Sequence, residues 1–170
     1  MRVLALAGAL VAVAALGIDR LGGRGGDLTL EQARAFEEFP LYYAGDVVEG
    51  LALTALLERD DSARYVSFVY GDCTPSSDGG CASPAEVQVW PAGARNLGSY
   101  DLSVPGTPVP EPTRIRGVPA AFVGDGQLEL YVPGATVVVF AHDRERALAI
   151  ANELRCVRLR ARPKDGPLTC

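Results

Sequence analysis

The chain has 170 residues and a formal net charge of −5, with 16 Lys and Arg residues against 21 Asp and Glu residues. A mildly acidic chain without a basic patch interleaved with aromatic residues is a poor candidate for binding nucleic acid. One histidine and four widely spaced cysteines argue against a zinc site, and no phosphate-binding or other cofactor motif is present, so we expect no cofactor.

The chain begins with an apolar run, residues 3–18, which Met1 and Arg2 precede. A positive start before a short apolar core is the layout of a secretory signal, and the small residues around Ala12 and Ala14 fit a cleavage site. As a helix the run would extend about 24 Å, less than the roughly 30 Å hydrocarbon core of a bilayer. We expect residues 1–18 to be a signal peptide or an uncleaved signal anchor, with a buried core helix as a third alternative.

The next segment, residues 19–27, contains four glycines around Arg24 and predicts a flexible linker. Residues 28–170 are numerous enough for one domain with its own hydrophobic core. The organisation therefore predicts a single extracytoplasmic domain, which is either secreted or anchored to the cell membrane by its N-terminal segment.

The four cysteines allow three pairings in principle. Cys73 and Cys81 bracket a loop rich in turn-forming residues, and Cys156 and Cys170 bracket a proline-containing tail. We predict these two local disulfides, each of which would stabilise the fold by about 2–3 kcal/mol. Disulfides persist in oxidising compartments, so this pattern agrees with export.

The first elements of the domain are a helix and a strand. Apolar residues repeat at helical spacing over residues 29–38, and Pro40 stops the helix because the residue before a proline avoids helical dihedral angles. The composition of residues 50–59 suits a helix, whereas Leu51 and Leu53 alternate as in a strand. We favour a strand there, because glycines bound the segment.

A hairpin and a connector follow. Residues 65–71 are β-branched and aromatic, and residues 85–90 alternate between apolar and polar side chains. Since both flank the Cys73–Cys81 loop, they predict one antiparallel hairpin. Residues 91–112 are loop-rich, and the prolines among residues 104–112 predict an extended connector.

The second half of the chain predicts three strands and a helix. Residues 114–123 are extended, residues 127–132 alternate, and residues 135–141 form an almost continuous apolar run typical of a strand covered on both faces. Asp143 then caps a helix over about residues 144–155. The pattern predicts an α+β domain, with a mostly antiparallel curved sheet of about six to seven strands. We expect an N-terminal helix and a C-terminal helix to pack on this sheet.

Six segments also carry a resemblance to a known group of domains. They are residues 40–42, Gly50-Leu51-Ala52-Leu53, residues 66–70, residues 117–122, residues 128–130 and the helical residues 147–154. Their order resembles that in extracytoplasmic domains of bacterial lipoproteins and membrane-anchored anti-sigma-factor proteins. The resemblance covers about residues 28–155 and implies a curved sheet with a helix on one face. Most such domains lack an assigned activity, and no functional residue carries over.

Basic residues alternate near the C-terminus, at Arg155, Arg158, Arg160, Arg162 and Lys164. This spacing favours one solvated face of a strand, with contact to anionic headgroups as the alternative.

No catalytic motif is present. A serine hydrolase needs a serine, a histidine and a carboxylate in contact, and the single histidine, His142, lies beside Asp143 without a G-x-S-x-G elbow. We therefore expect a non-catalytic binding or interaction protein, whose partner is an envelope protein, together with the membrane if residues 1–18 are uncleaved.

Two alternatives remain open. One is a hydrolase without a recognisable motif, which requires His142 to contact a serine and a carboxylate. The other is a carrier or sensor that holds a small apolar ligand between sheet and helix. The candidate lining residues of such an apolar pocket are aromatic: Tyr43, Phe68, Tyr70, Trp90, Phe122 and Tyr131.

Overall fold

The computed structural model describes residues 26–73, 82–95, 104–159 and 166–170. Two helices and ten strands lie in these ranges. In chain order they are α1 (Leu30–Ala35), β1 (Tyr42–Tyr43), β2 (Val47–Val48), β3 (Leu51–Asp60), β4 (Arg64–Tyr70), β5 (Ala85–Pro91), β6 (Glu111–Ile115), β7 (Val118–Phe122), β8 (Gln127–Val132), β9 (Ala135–Ala141), α2 (Arg144–Glu153) and β10 (Arg155–Cys156).

Eight of the strands form one curled antiparallel sheet in the order β2-β3-β4-β5-β9-β8-β7-β6. Strands β1 and β10 pair separately as a two-stranded antiparallel sheet. The α+β class and the antiparallel sheet agree with the sequence prediction, but the strand count of six to seven was too low.

The sequence pattern predicted one extended segment over residues 114–123. In the structure this segment is divided between two strands, β6 and β7. The chain turns there at Arg116 and Gly117, whose φ angles are 47° and 81°. Two consecutive residues with positive φ make the tight turn that suits a two-residue β-hairpin. Arginine rarely adopts this conformation, so little in the sequence indicated the turn between β6 and β7.

The other predicted strands are confirmed. The ambiguous segment at residues 50–59 is a strand, β3, and it pairs with β4. Strands β4 and β5 form the predicted antiparallel hairpin, in which Val66 lies opposite Val89. Strands β8 and β9 also pair directly, and α2 follows them as expected.

The helices differ from the prediction in extent and placement. Thr29 and Gln32 form a reciprocal capping box that starts α1, but the helix ends at Ala35, short of the predicted residue 38. Phe36 is already extended, and its ring packs edge-on against Phe39 at a centroid distance of 4.8 Å. Since Ala33 is the one buried residue of α1, this helix is peripheral. Helix α2 packs on β8 and β9 as expected.

The hydrophobic core lies on one face of the sheet, because paired residues of neighbouring strands project to the same side. One such row crosses six strands and consists of Leu56, Phe68, Val87, Val139, Leu128 and Phe122. Helix α2 covers this face with Ala147, Ile150 and Ala151, and Leu154 follows them; all four are fully buried.

The Cys156–Cys170 disulfide is confirmed, and its Cα atoms lie 5.1 Å apart. Cys73 is also disulfide-bonded, but its predicted partner, Cys81, lies outside the described residues. The proposed signal at residues 1–18 and nearly all of the linker lie outside them too. Within the part of the chain that the structure describes, no helix is long and apolar enough to cross a membrane.

Candidate functional site

The two-stranded sheet brings the C-terminal part of the chain against residues 41–43. Tyr42 lies opposite Cys156 and Tyr43 lies opposite Arg155. The pairing continues through the amide of Val157, which donates a hydrogen bond to the Leu41 carbonyl at 2.9 Å. The Cys156–Cys170 disulfide then holds the last residues close by. Tyr43 and Arg155 are therefore fixed side by side although they are far apart in sequence.

The position of the Arg155 guanidinium depends on a glycine. Its Cζ lies 4.9 Å from the centroid of the Tyr43 ring, and this ring packs in turn on Phe68 at a centroid distance of 5.8 Å. Gly45 lies beside the guanidinium with a φ of +102°, and a Cβ there would lie 2.5 Å from Nη2. The backbone conformation thus requires glycine at this position, and a side chain there would displace the guanidinium.

Tyr43 and Arg155 form one wall of a pocket of about 470 Å³, which we call the arginine pocket. A volume in this range is typical of sites for small organic ligands. Arg34 reaches the pocket from the last turn of α1, whose end is held by a hydrogen bond from the Arg158 guanidinium to the Phe36 carbonyl. The lining residues within the described ranges are Arg34, Tyr43, Asp46, Arg155, Val157 and Leu159.

The guanidinium groups of the two pocket arginines have no hydrogen-bond acceptor among the described residues. Neither Arg34 nor Arg155 makes a side-chain hydrogen bond or an ion pair there, and Nε of Arg155 is buried without an acceptor. By contrast, Arg144 makes two hydrogen bonds to Glu111, at 2.8 and 3.0 Å. The described lining residues include one carboxylate, that of Asp46, so their net charge is +1.

Two buried tyrosines lie close to the pocket and stay neutral at physiological pH. The hydroxyl of Tyr70 accepts a hydrogen bond from the Ala44 amide at 2.9 Å. Burial raises the pKa of Tyr70, although that hydrogen bond and the charge of Arg155 act in the opposite direction. Burial also raises the pKa of Tyr42. Among the described residues of the pocket, the charged groups are therefore its two arginines and Asp46.

Comparison of the chain with protein-family models, curated proteins and solved structures gave no match.

The six aromatic residues that the sequence suggested as one apolar pocket lie on two faces of the sheet. Tyr43, Phe68, Tyr70 and Phe122 belong to the core on the face that α2 covers. Trp90 and Tyr131 project from the opposite face, since each lies opposite Thr136 in its strand pair. The structure therefore brings Tyr43 and Phe68 into contact, and of the six only Tyr43 lines the arginine pocket.

The opposite face of the sheet carries a polar cluster around a fully buried carboxylate, that of Glu129. It accepts hydrogen bonds from Arg95 Nη2 at 3.1 Å, from Gln127 Nε2 at 3.0 Å and from the Tyr131 hydroxyl at 2.9 Å. Thr136 also donates a hydrogen bond to the Arg95 carbonyl at 3.1 Å. Because protein groups already supply hydrogen-bond donors to the Glu129 carboxylate, we assign this cluster a structural role. It holds β8, β9 and the turn at Arg95 together.

The single histidine, His142, is exposed. The neighbouring carboxylate of Asp143 caps α2 by accepting a hydrogen bond from the Arg146 amide at 2.8 Å. The described ranges contain no group of three or more His, Cys, Asp or Glu side chains that could hold a metal ion.

The sequence analysis did not find the arginine pocket. It interpreted the alternating basic residues after position 154 as a strand face, but β10 spans only Arg155 and Cys156 before the chain turns. The side chain of Arg155 lies over Tyr43, and Arg158 is exposed, while the other three basic residues of that run lie outside the described residues. One feature of the sequence could have pointed to the arginine pocket: Arg155 comes immediately before Cys156, a residue of the predicted disulfide.

Proposed function

We propose that the protein is a non-catalytic binding protein of the cell envelope and that the arginine pocket is its binding site. The observation that supports this function is a pocket of about 470 Å³ with two arginines whose guanidinium groups have no acceptor in the part of the chain that the structure describes. A ligand with an acceptor group would give these guanidinium groups a hydrogen-bond partner inside the pocket.

The surroundings of the pocket suit a binding role because its walls are held in place before a ligand arrives. Arg155 is adjacent in sequence to the disulfide residue Cys156, packs on Tyr43 and fits against Gly45. A site with fixed walls loses less conformational entropy on binding and so binds more tightly.

Placement outside the cytoplasm is part of the proposal. The apolar run at residues 3–18 supports export, and the Cys156–Cys170 disulfide supports an oxidising compartment. In this function the N-terminal segment either releases the domain or tethers it to the cell membrane.

We place the ligand in the arginine pocket rather than between the sheet and α2. Side chains fill that interface, where Leu128, Leu130 and Ile150 are fully buried in one continuous core. The arginine pocket, in contrast, already offers space and unpaired polar groups.

The test is a thermal-shift screen of the full chain, with its disulfides formed, against a library of neutral, cationic and anionic small molecules. The variant Leu159→Trp narrows the pocket, and Leu148→Trp is its control because Leu148 is an exposed residue of α2 that does not line it. We expect hits that raise the melting temperature of the wild type and of Leu148→Trp but not that of Leu159→Trp. Absence of hits, or hits that Leu159→Trp leaves unchanged, would overturn the proposed site.

A further inference from the structure

We infer that the arginine pocket binds an organic monocarboxylate with an apolar body. This inference rests on the proposed function, since it names the ligand class of the same site.

The acceptor that Arg155 lacks points to an oxyanion. A guanidinium presents parallel N–H groups that match the two oxygens of a carboxylate, and such a pair is stronger than a hydrogen bond between neutral groups. Arg155 lines the pocket, so its guanidinium can present such N–H groups to a ligand. Arg34 supplies a second positive charge at the same pocket and has no partner of its own among the described residues.

The charges of the described lining residues favour a single negative charge on the ligand. Among those residues, Arg34 and Arg155 contribute two positive charges and Asp46 contributes one negative charge, which leaves +1. A monocarboxylate neutralises this charge. A dianion such as a phosphate monoester would leave an excess negative charge close to Asp46, which is unfavourable.

The remaining lining favours an apolar body on the ligand. Tyr43 contributes a ring, and Val157 and Leu159 contribute aliphatic side chains. Leu159 is 46% exposed and offers apolar surface at the pocket. A ligand that covers Leu159 while its carboxylate contacts the arginines would remove this apolar surface from water.

The experiment measures binding of four probes to the full chain by two-dimensional NMR and isothermal titration calorimetry. Phenylacetate combines a carboxylate with an aromatic body, 2-phenylethanol has a similar body without charge, acetate lacks the body, and phenyl phosphate replaces the carboxylate. We expect phenylacetate to shift the amide signals of Tyr43, Asp46 and Val157. The other three probes should bind at least about tenfold more weakly, since each lacks one feature worth a charge-assisted hydrogen bond or comparable burial.

Variants of the two arginines test the same inference. Arg155→Met should weaken phenylacetate binding by at least about tenfold, and Arg34→Met should weaken it by about threefold or more. Arg155→Lys keeps the charge but lacks the paired N–H groups, so its affinity should fall between those of the wild type and Arg155→Met. Arg114→Met is the control, because Arg114 is exposed on β6 and its guanidinium donates to the Gly117 carbonyl.

The outcomes separate this inference from the proposed function. If 2-phenylethanol binds as tightly as phenylacetate and the arginine variants change nothing, the pocket binds ligands but selection of an anion is wrong. If phenyl phosphate binds more tightly than phenylacetate, the ligand class is wrong. If no probe shifts the pocket amides, the inference fails, whereas the proposed function is still judged by the library screen. If Arg155→Met does not fold, the other two variants decide the question. The inference is then wrong if Arg155→Lys and the exposed Arg34→Met both bind phenylacetate as tightly as the wild type does.

Discussion

Two buried tyrosines allow a direct test of how hydrogen bonds in the core contribute to the free energy of unfolding. Tyr42 and Tyr70 are both fully buried. The Tyr70 hydroxyl accepts the Ala44 amide hydrogen bond, whereas the Tyr42 hydroxyl has no partner among the protein groups described. Replacing either residue with phenylalanine removes one oxygen and keeps the ring, so the packing change is nearly the same in both variants.

The two substitutions should change the free energy of unfolding in opposite directions. Tyr42→Phe removes a polar group that was buried at a cost, and we expect it to stabilise the fold by about 1 kcal/mol. Tyr70→Phe leaves the Ala44 amide buried without its acceptor, and we expect destabilisation by about 1–3 kcal/mol. The predicted gap between the variants is therefore about 2–4 kcal/mol.

Urea unfolding at pH 7, followed by far-ultraviolet circular dichroism with the disulfides intact, gives the required comparison. The dependence on urea should have the same slope in the wild type and both variants, because the surface exposed on unfolding is unchanged. If Tyr42→Phe destabilises the protein as much as Tyr70→Phe does, the Tyr42 hydroxyl has a partner and the reasoning is wrong.

Three further predictions concern other parts of the fold. Gly126→Ala should destabilise it by about 1–3 kcal/mol in urea unfolding, because a Cβ would collide with the backbone of β9; an unchanged midpoint would contradict this. Replacing Cys156 and Cys170 by serine should lower the free energy of unfolding by about 3 kcal/mol. If this variant is as stable as the wild type, the Cys156–Cys170 disulfide does not stabilise the fold. Because burial raises the pKa of Tyr42 and Tyr70, the unfolded chain loses these protons first, so stability should fall as the pH rises above about 10. Urea midpoints at pH 8 and pH 10.5 measure this loss, which should be smaller in Tyr42→Phe.

The sequence predicted the parts of the fold that local patterns determine. Strands β4 and β5 alternate cleanly and flank a short loop, so both their existence and their pairing could be inferred. Helix α2 has a capping aspartate at residue 143 and a regular apolar stripe, and it was placed within two residues of its observed end. The turn at Arg116 could not be inferred, because a non-glycine residue with positive φ leaves no recognisable signal.

The candidate site could not be predicted because it depends on contacts between distant segments. Strand β1 and strand β10 have two residues each, too few for any periodic pattern. Nothing local indicated that Arg155 would lie over Tyr43 or that Arg34 would face the same space. The type of an aromatic residue also does not show which face of the sheet it belongs to. Trp90 and Tyr43 were therefore assigned to the same apolar pocket, although they lie on opposite faces.

In the function that we propose, the disulfide beside the arginine pocket ties the maturation of the chain to ligand binding. Two residues of pairing form a weak sheet on their own. In a reducing compartment β10 would depend on that pairing and on side-chain packing, and Arg155 would lose the covalent staple that begins at the next residue. Newly made chains would thus reach their binding-competent form only after thiol oxidation. In the function that we propose, the protein does not sequester its ligand at the place of synthesis.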